Sequence, residues 1–189
     1  MVGALVKPCL LAVCVLALSV STAAQEVVHA LTGTVSSINS ATHSIAVLQD
    51  VGGSNTFVGL TNPKTRVDFD KKVQAGTIAA DTFKDNGAYV IVFYYGTDEN
   101  RTAVAIKNLG PGPFSSAVGT IKKLDRGHSL SIEDEAGKLE TFKIGADSVA
   151  EGDLGVVDGL RFQLQSGRKV RVVSAVVDGA PTALFVRSM

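Results

Sequence analysis

Several apolar stretches of the chain alternate large apolar side chains with small or polar ones. The clearest examples are 44–47, 103–107, 129–132 and 170–172. Because successive side chains of a β-strand point to opposite faces of a sheet, this period of two predicts strands with one apolar face. Clusters rich in glycine, asparagine and aspartate separate these segments and favour tight turns. Only residues 77–84 and 158–165 are compatible with a short helix, so the pattern predicts an all-β protein.

The same succession of residues occurs twice along the chain. Residues 33–35 (Gly-Thr-Val) return as residues 119–121 (Gly-Thr-Ile), and the later matches keep their order. Further matching pairs are His43 and His128, Phe57 and Phe142, Val90 and Val170, Val92 and Val172, and Val104 and Leu184. Such self-similarity indicates a duplicated structural unit. We therefore predict two related domains, 31–109 and 117–188, joined by a linker rich in proline and glycine at 110–116.

Each predicted unit contains five or six short strands in about 75 residues. Strands in this number are best buried when the sheet curls into a small barrel, which also removes most of its exposed edges. The expected fold is therefore two tandem small antiparallel β-barrels, and an open β-sandwich is the alternative. Units this small have a low core fraction, so we expect the two to contact each other.

The N-terminal segment has the features of a secretory signal peptide. Lys7 supplies a positive charge, residues 9–20 are almost entirely apolar, and residues 21–24 are small. We predict a signal peptide over 1–24, cleaved after Ala24, and a periplasmic or secreted mature protein. An uncleaved membrane anchor is the alternative, but the apolar run is shorter than the roughly 20 residues that a span needs. The mature chain is accordingly expected to have no stable membrane span.

Charge and cysteine content limit the classes of partner. The formal net charge is zero, with 18 basic and 18 acidic residues, and the chain has no tryptophan. Nucleic-acid binding needs a basic groove with stacking aromatic side chains, so we predict no nucleic-acid partner. Both cysteines, Cys9 and Cys14, lie in the predicted signal peptide. The mature chain then has no thiol for a disulfide, a metal site or a nucleophile.

The recurring motifs resemble those of a known family. They are G-T-[VI] at 33–35 and 119–121, G-x-x-V-x-V at 87–92 and 167–172, and T-A-[VL]-x-[VI]-[KR] at 102–107 and 182–187. The chain resembles a family of small exported bacterial domains of unknown function, which form OB-like barrels and often occur in tandem behind signal peptides. The resemblance implies a fold and a location, and it supplies no catalytic residues. The first unit departs from the pattern by a longer central segment, 68–82.

Few side chains suggest chemistry. His43 and His128 occupy matching positions, but neither has a second ligand at metal-binding spacing. The acids Glu133, Asp134 and Glu135 are adjacent, so in a strand and turn they do not converge on one point. The chain has no nucleophile elbow, zinc-binding helix or phosphate-binding loop. We therefore predict no catalytic residues, no cofactor and no metal site.

One row of side chains distinguishes the two units. If Val90 and Val92 point into the first barrel, the residues between and beside them point outward; they are Tyr89, Ile91, Phe93 and Tyr95. The matching residues of the second unit are Lys169, Arg171, Val173 and Ala175. An outward row this apolar must be covered. It is predicted to be covered either internally, by segment 68–84 or at an interdomain surface near Phe185, or by a partner or ligand.

These observations give three hypotheses for function. The first is a non-catalytic exported binding or structural module that acts through an unknown protein or envelope component. The second is a small-molecule or ion-binding carrier that uses the mouth of a barrel, and the third is an enzyme with an unrecognised site. A deep pocket with polar lining would favour the second and third, whereas a flat aromatic patch would favour the first.

Overall fold

The computed structural model describes residues 26–50, 53–59, 69–97 and 101–189. The predicted signal peptide, its cleavage point and both cysteines lie outside these residues. The strands are β1 (His29–Asn39), β2 (Ser44–Gln49), β3 (Ser54–Gly59), β4 (Ile78–Ala79), β5 (Tyr89–Tyr95), β6 (Thr102–Asn108), β7 (Ser115–Asp125), β8 (Ser129–Glu133), β9 (Leu139–Gly152), β10 (Gly155–Asp158), β11 (Lys169–Val177) and β12 (Ala180–Ser188). One α-helix, α1 (Lys71–Ala75), and two 3₁₀ turns, Ala80–Thr82 and Gly159–Arg161, complete the described elements.

The strands form two closed rings with the same topology. In the first, the order is β3-β2-β1-β5-β6, and pairing of β3 with β6 closes the barrel. In the second, the order is β9-β12-β11-β7-β8, and pairing of β9 with β8 closes it. In both rings the third strand runs parallel to the last, while the other neighbours are antiparallel. The prediction of two tandem small OB-like β-barrels is confirmed over an open sandwich.

Residues matched in the sequence occupy equivalent places in the two barrels. Val90 lies between Gly33 and Asn108, and Val170 lies between Gly119 and Ser188. The register of β6 skips Val104, and the register of β12 skips Leu184 at the corresponding point. The strand pairing of one barrel is thus repeated in the other, including its irregularities.

The glycine of the G-T-[VI] motif is required by close packing of neighbouring strands. A Cβ atom at Gly119 would lie 2.6 Å from the carbonyl oxygen of Glu133, and one at Gly33 would meet the carbonyl oxygen of Leu48 even more closely. Any larger residue would push these backbones apart. The motif therefore marks the point where the first strand of each barrel approaches the second.

The helical segments differ from those predicted at 77–84 and 158–165. The α-helix begins earlier, at Lys71, because the Asp70 carboxylate accepts hydrogen bonds from Lys72 N (2.9 Å) and Val73 N (3.4 Å). It ends before Ile78, which pairs with Ile106 of β6. Each predicted helix is reduced to one 3₁₀ turn, so strand pairing overrides the local pattern.

Each barrel has its own apolar core. In the first, Phe57, Val90 and Val92 are buried with neighbouring aliphatic side chains. In the second, the equivalent Phe142, Val170 and Val172 are buried in the same way. The alternation that predicted the strands therefore also predicts which side chains fill the barrels.

A third apolar cluster joins the barrels. Its buried members are Val28, Ala30, Val73, Ile91, Phe93, Ala105, Val149, Val156, Val173 and Phe185. Polar contacts surround it: the buried Glu151 accepts from His29 Nδ1 (2.9 Å) and pairs with Arg187 (3.4 Å). The Arg161 guanidinium contacts the buried carboxylate of Asp70 from the other barrel. The barrels are thus held together by a mixed interface with an apolar centre.

Candidate functional site

The outward row of the first barrel lies largely in this interface. Ile91 and Phe93 are 0% exposed and belong to the same cluster as Val173 and Phe185. Phe93 also stacks on Phe69, with ring centroids 5.1 Å apart. The two central members of the row are therefore inaccessible to a separate partner, and the row does not form a flat exposed patch.

The two tyrosines at the ends of the row are less buried than its two central residues. Tyr89 and Tyr95 are partly exposed. Tyr89 stacks on Phe114 from the segment between the barrels, with ring centroids 4.5 Å apart. Its hydroxyl donates to the Asp50 carboxylate, which also accepts from Arg171 of the second barrel at 3.2 Å. Tyr89 is therefore part of the contact between the barrels as well.

The two matched histidines make equivalent hydrogen bonds through their backbone carbonyl groups. His43 and His128 are exposed, and each lies where a turn leads into the second strand of its barrel. The carbonyl oxygen of His43 accepts from Gly59 N (2.6 Å), and that of His128 accepts from Ile144 N (2.9 Å). The side chains take no part in these bonds, so the two positions share a turn geometry that does not depend on the imidazole.

The acidic cluster of the second unit is divided among different partners. Glu133 pairs with Lys122 at 3.0 Å, and Glu135 pairs with Lys169 at 3.0 Å. Asp134 Oδ1 accepts from the backbone of its own turn, Ala136 N (2.9 Å) and Lys138 N (2.8 Å). In the described parts of the chain, no three histidine, cysteine or acidic side chains group closely enough to hold a metal ion.

A cavity of about 700 Å³ opens at one end of the second barrel. We name this end, where β7 and β9 begin and β8 and β11 end, the second mouth. Its apolar lining includes Ile132 and Phe142 from the barrel core, with Ala117 and Ser174 beside them. Polar side chains line its rim: Asp134, Lys138 and Glu140. The cavity thus combines an apolar floor with a few charged groups, as small-molecule sites do.

The equivalent end of the first barrel, here the first mouth, is filled by the chain itself. Tyr94 occupies the register position of Ser174, since Tyr94 pairs with Ala103 as Ser174 pairs with Ala183. The Tyr94 side chain is 6% exposed, and its ring centroid lies 5.2 Å from that of Phe57. Exchange of a tyrosine for a serine at this inward position removes a whole ring from the second mouth.

Four inward positions of the second mouth carry smaller residues than the first, whereas Glu140 is larger than its equivalent, Asn55. The equivalent pairs, first barrel before second, are His29 and Ser115, Leu31 and Ala117, Tyr94 and Ser174, and Arg101 and Pro181. Phe57 and Phe142 are the same in both barrels. The second mouth is therefore open because the side chains that fill the first are absent from it, while the receiving wall is retained.

An ion pair lies on the rim of the second mouth. Lys138 Nζ is 2.5 Å from Glu140 Oε1, and this contact raises the pKa of the Lys138 ammonium above its ordinary value. The Lys138 side chain is 68% exposed, so the pair faces solvent and contributes little to stability. Glu140 replaces Asn55, whose side-chain oxygen accepts from the Arg101 guanidinium in the first barrel.

Neither models of known protein families nor curated proteins match this chain. Among the described residues, no helix has the length and apolar character needed to cross a membrane.

The second mouth was not predicted from the sequence. The signal that could have located it is the comparison of the repeats at inward positions, where Tyr94 matches Ser174 and Leu31 matches Ala117. The outward row is recognisable in the sequence because its polarity differs between the two units. A difference in side-chain volume on the inward face carries the same kind of information.

The stability of the folded chain is expected to fall as pH rises above about 10. Burial, and after it the Asp50 carboxylate, raise the pKa of Tyr89 above its ordinary value of 10. The folded state therefore holds a proton that the unfolded chain releases at that pH, and alkali favours unfolding. Urea unfolding measured at pH 8, 10 and 11 checks this.

Tyr89→Phe supplies the control for the alkaline loss. The variant should lose less stability than the wild type between pH 8 and 11, because it has no phenol to ionise at this position. Burial lowers the pKa of Lys107, which acts in the opposite direction in both proteins. An equal loss in the wild type and the variant would show that Tyr89 does not couple ionisation to folding.

Proposed function

We propose that the protein is an exported, non-catalytic binding module whose second barrel holds a small ligand in its open mouth. The observation that carries the proposal is the cavity of about 700 Å³ at the second mouth, at the position where Tyr94 fills the first. The first barrel then acts as a closed support. This is the carrier hypothesis of the sequence analysis, assigned to a particular end of a particular barrel.

The size and lining of the cavity support binding of a small organic molecule. Ligand pockets commonly have volumes of roughly 300–1,000 Å³, with mostly apolar walls and a few polar groups. The second mouth has Phe142 and Ile132 on its floor and three charged side chains at its rim. An apolar part of a ligand would be buried on the floor, while the rim would orient a polar part.

The contacts of the rim side chains support binding over catalysis. Glu140 is paired with Lys138, and one oxygen of Asp134 accepts two backbone hydrogen bonds of its own turn. A nucleophile needs an adjacent base that is free to take its proton. The acid and base of this rim are instead engaged with each other or with the turn.

The proposed export of the protein is supported by its sequence. The features of residues 1–24 support export to the periplasm or beyond the cell, as does the resemblance to exported bacterial domains. Contact with a protein or envelope component through the aromatic row has less support, because Ile91 and Phe93 are buried between the barrels.

Titration of the ¹⁵N-labelled protein with small ring compounds, followed by two-dimensional NMR, tests the proposed site. Benzamide, benzoate and benzamidine cover a neutral, an anionic and a cationic ring of similar size. At least one of them should shift the amide signals of Ser174 and Phe142, with a Kd on the order of 1 mM for so small a compound, about −4 kcal/mol.

Ser174→Tyr is the matched variant, because it places in the second mouth the residue that fills the first. This variant should remain folded and lose the shifts caused by the ring compounds. The proposal is wrong if none of the three compounds shifts these amides in the wild type, or if Ser174→Tyr binds as the wild type does.

A further inference from the structure

We infer that the second mouth takes a flat aromatic ring that carries a cationic group, such as an amidinium or guanidinium. The inference rests on the proposed function and gives its ligand class. Its basis is the first barrel, where two residues of the chain place an aromatic ring and a planar cation in contact in the equivalent space. The duplicated fold thus provides an internal example of what the retained wall of the mouth accommodates.

The ring is the first part of this example. In the first mouth, the Tyr94 ring packs on Phe57 at a centroid distance of 5.2 Å, with the ring planes tilted by 50°. The second mouth keeps Phe142 at the position of Phe57 and has Ser174 in place of Tyr94. A ligand ring can occupy the vacated place and make the same contact on Phe142.

The cation is the second part. In the first mouth, the Arg101 guanidinium carbon lies 5.6 Å from the centre of the Tyr94 ring. The same guanidinium donates to the side-chain oxygen of Asn55. A ring and a planar cation therefore lie against each other, and an acceptor on β3 receives the cation.

In the second mouth, a carboxylate replaces the amide oxygen that accepts from the guanidinium in the first, and the arginine itself is absent. Glu140 stands at the position of Asn55, and Pro181 stands at the position of Arg101. A carboxylate forms a stronger, charge-assisted hydrogen bond with a guanidinium or amidinium than an amide oxygen does. The receiving group has thus gained charge, and its partner within the chain is the exposed ammonium of Lys138 instead of a buried guanidinium.

The remaining charges of the second mouth agree with a cationic ligand. Its lining carries two carboxylates, Asp134 and Glu140, and a single ammonium, that of Lys138. Lys138 is a flexible, exposed side chain that contacts only one oxygen of Glu140. A planar cation bound in the mouth can displace this ammonium or share the carboxylate with it, whereas an anionic ligand would face two carboxylates.

Titration of the full chain with three isosteric compounds, measured by isothermal titration calorimetry or NMR, tests the ligand class. Benzamidine has the ring and the planar cation, benzamide has the same shape without charge, and benzoate is the anion. We expect benzamidine to bind about tenfold more tightly than benzamide, and benzoate to bind most weakly. Methylguanidinium, which has the cation without a ring, should bind more weakly than benzamidine.

Two near-isosteric variants separate the role of the carboxylate from general effects of charge. Glu140→Gln should reduce the affinity for benzamidine to that for benzamide and leave benzamide binding unchanged. Glu133→Gln, next to the mouth but paired with Lys122 and outside the lining, should keep the preference for benzamidine. The circular dichroism spectrum of each variant checks that it is folded.

The outcomes distinguish this inference from the proposed function. If benzamide or benzoate binds at the second mouth as tightly as benzamidine, the mouth is a ligand site but the cationic class is wrong. The class is also wrong if Glu140→Gln binds benzamidine as the wild type does. If no compound of any charge binds there, the proposed function itself fails.

Discussion

Replacement of Phe93 by alanine is expected to lower the free energy of unfolding by about 3–5 kcal/mol, the range for truncating a buried phenylalanine. The Phe93 side chain is fully buried in the apolar cluster that joins the two barrels, and it stacks on Phe69. Alanine would leave a void at the centre of this interface. Equilibrium urea unfolding, followed by circular dichroism, measures the loss.

Tyr95→Ala is the matched control, because Tyr95 belongs to the same outward row but is partly exposed at the end of β5. Its replacement should cost no more than about 1 kcal/mol. We also expect Phe93→Ala to broaden the unfolding transition or split it in two, since each barrel then unfolds more independently. If the two variants were equally stable, the cluster would not hold the barrels together.

The expected size of this effect follows from the size of the barrels. A domain of about 70–80 residues buries a smaller fraction of its surface on folding than a larger domain does, so its own core supplies limited stability. The described cluster adds ten buried side chains that neither barrel could bury alone. Polar contacts at its edge, such as that between His29 of the first barrel and Glu151 of the second, help to set the orientation of one barrel on the other.

Much of the fold could be predicted because the alternation of side chains reports directly on which face of a strand is buried. The period of two correctly placed Val90 and Val92 inside the first barrel and Ile91 and Phe93 outside it. It left open whether segment 68–84, the surface near Phe185 or a partner covers the outer face, because alternation describes one strand and not its neighbours in space. That Phe93 shares a cluster with Phe185 depends on how two complete barrels pack.

The candidate site could not be predicted for a related reason. The second mouth is formed by the ends of several strands that are distant in the sequence, so no local motif marks it. The residues that stand out in the sequence are His43, His128 and the acids at 133–135, which are adjacent or repeated but engage turns and exposed ion pairs. Inward positions such as 94 and 174 looked structural, because a serine at a core position suggests no reaction.

The helix was misplaced because its determinant is a cap and not a pattern. Residues 77–84 have a weakly helical composition, but Ile78 is held in a strand by pairing with Ile106. The side chain of Asp70 stabilises the preceding segment as a helix by accepting from two backbone amides. It also accepts from Asp158 N of the second barrel, at 3.2 Å. The start of the helix is therefore fixed by a contact between barrels.

Tyr94→Ser, the exchange that distinguishes the two mouths, is expected to destabilise the protein by about 3–5 kcal/mol, because the ring packs on Phe57 in the core of the first barrel. Tyr94→Phe keeps the ring and should cost no more than about 1 kcal/mol, because it removes only the hydroxyl. Urea unfolding of both variants beside the wild type makes the comparison. Tyr94→Ser should also gain a second binding event for ring compounds, at the first mouth. A serine variant as stable as the phenylalanine variant would show that Tyr94 does not fill the first mouth, and the contrast with Ser174 would then lose its meaning.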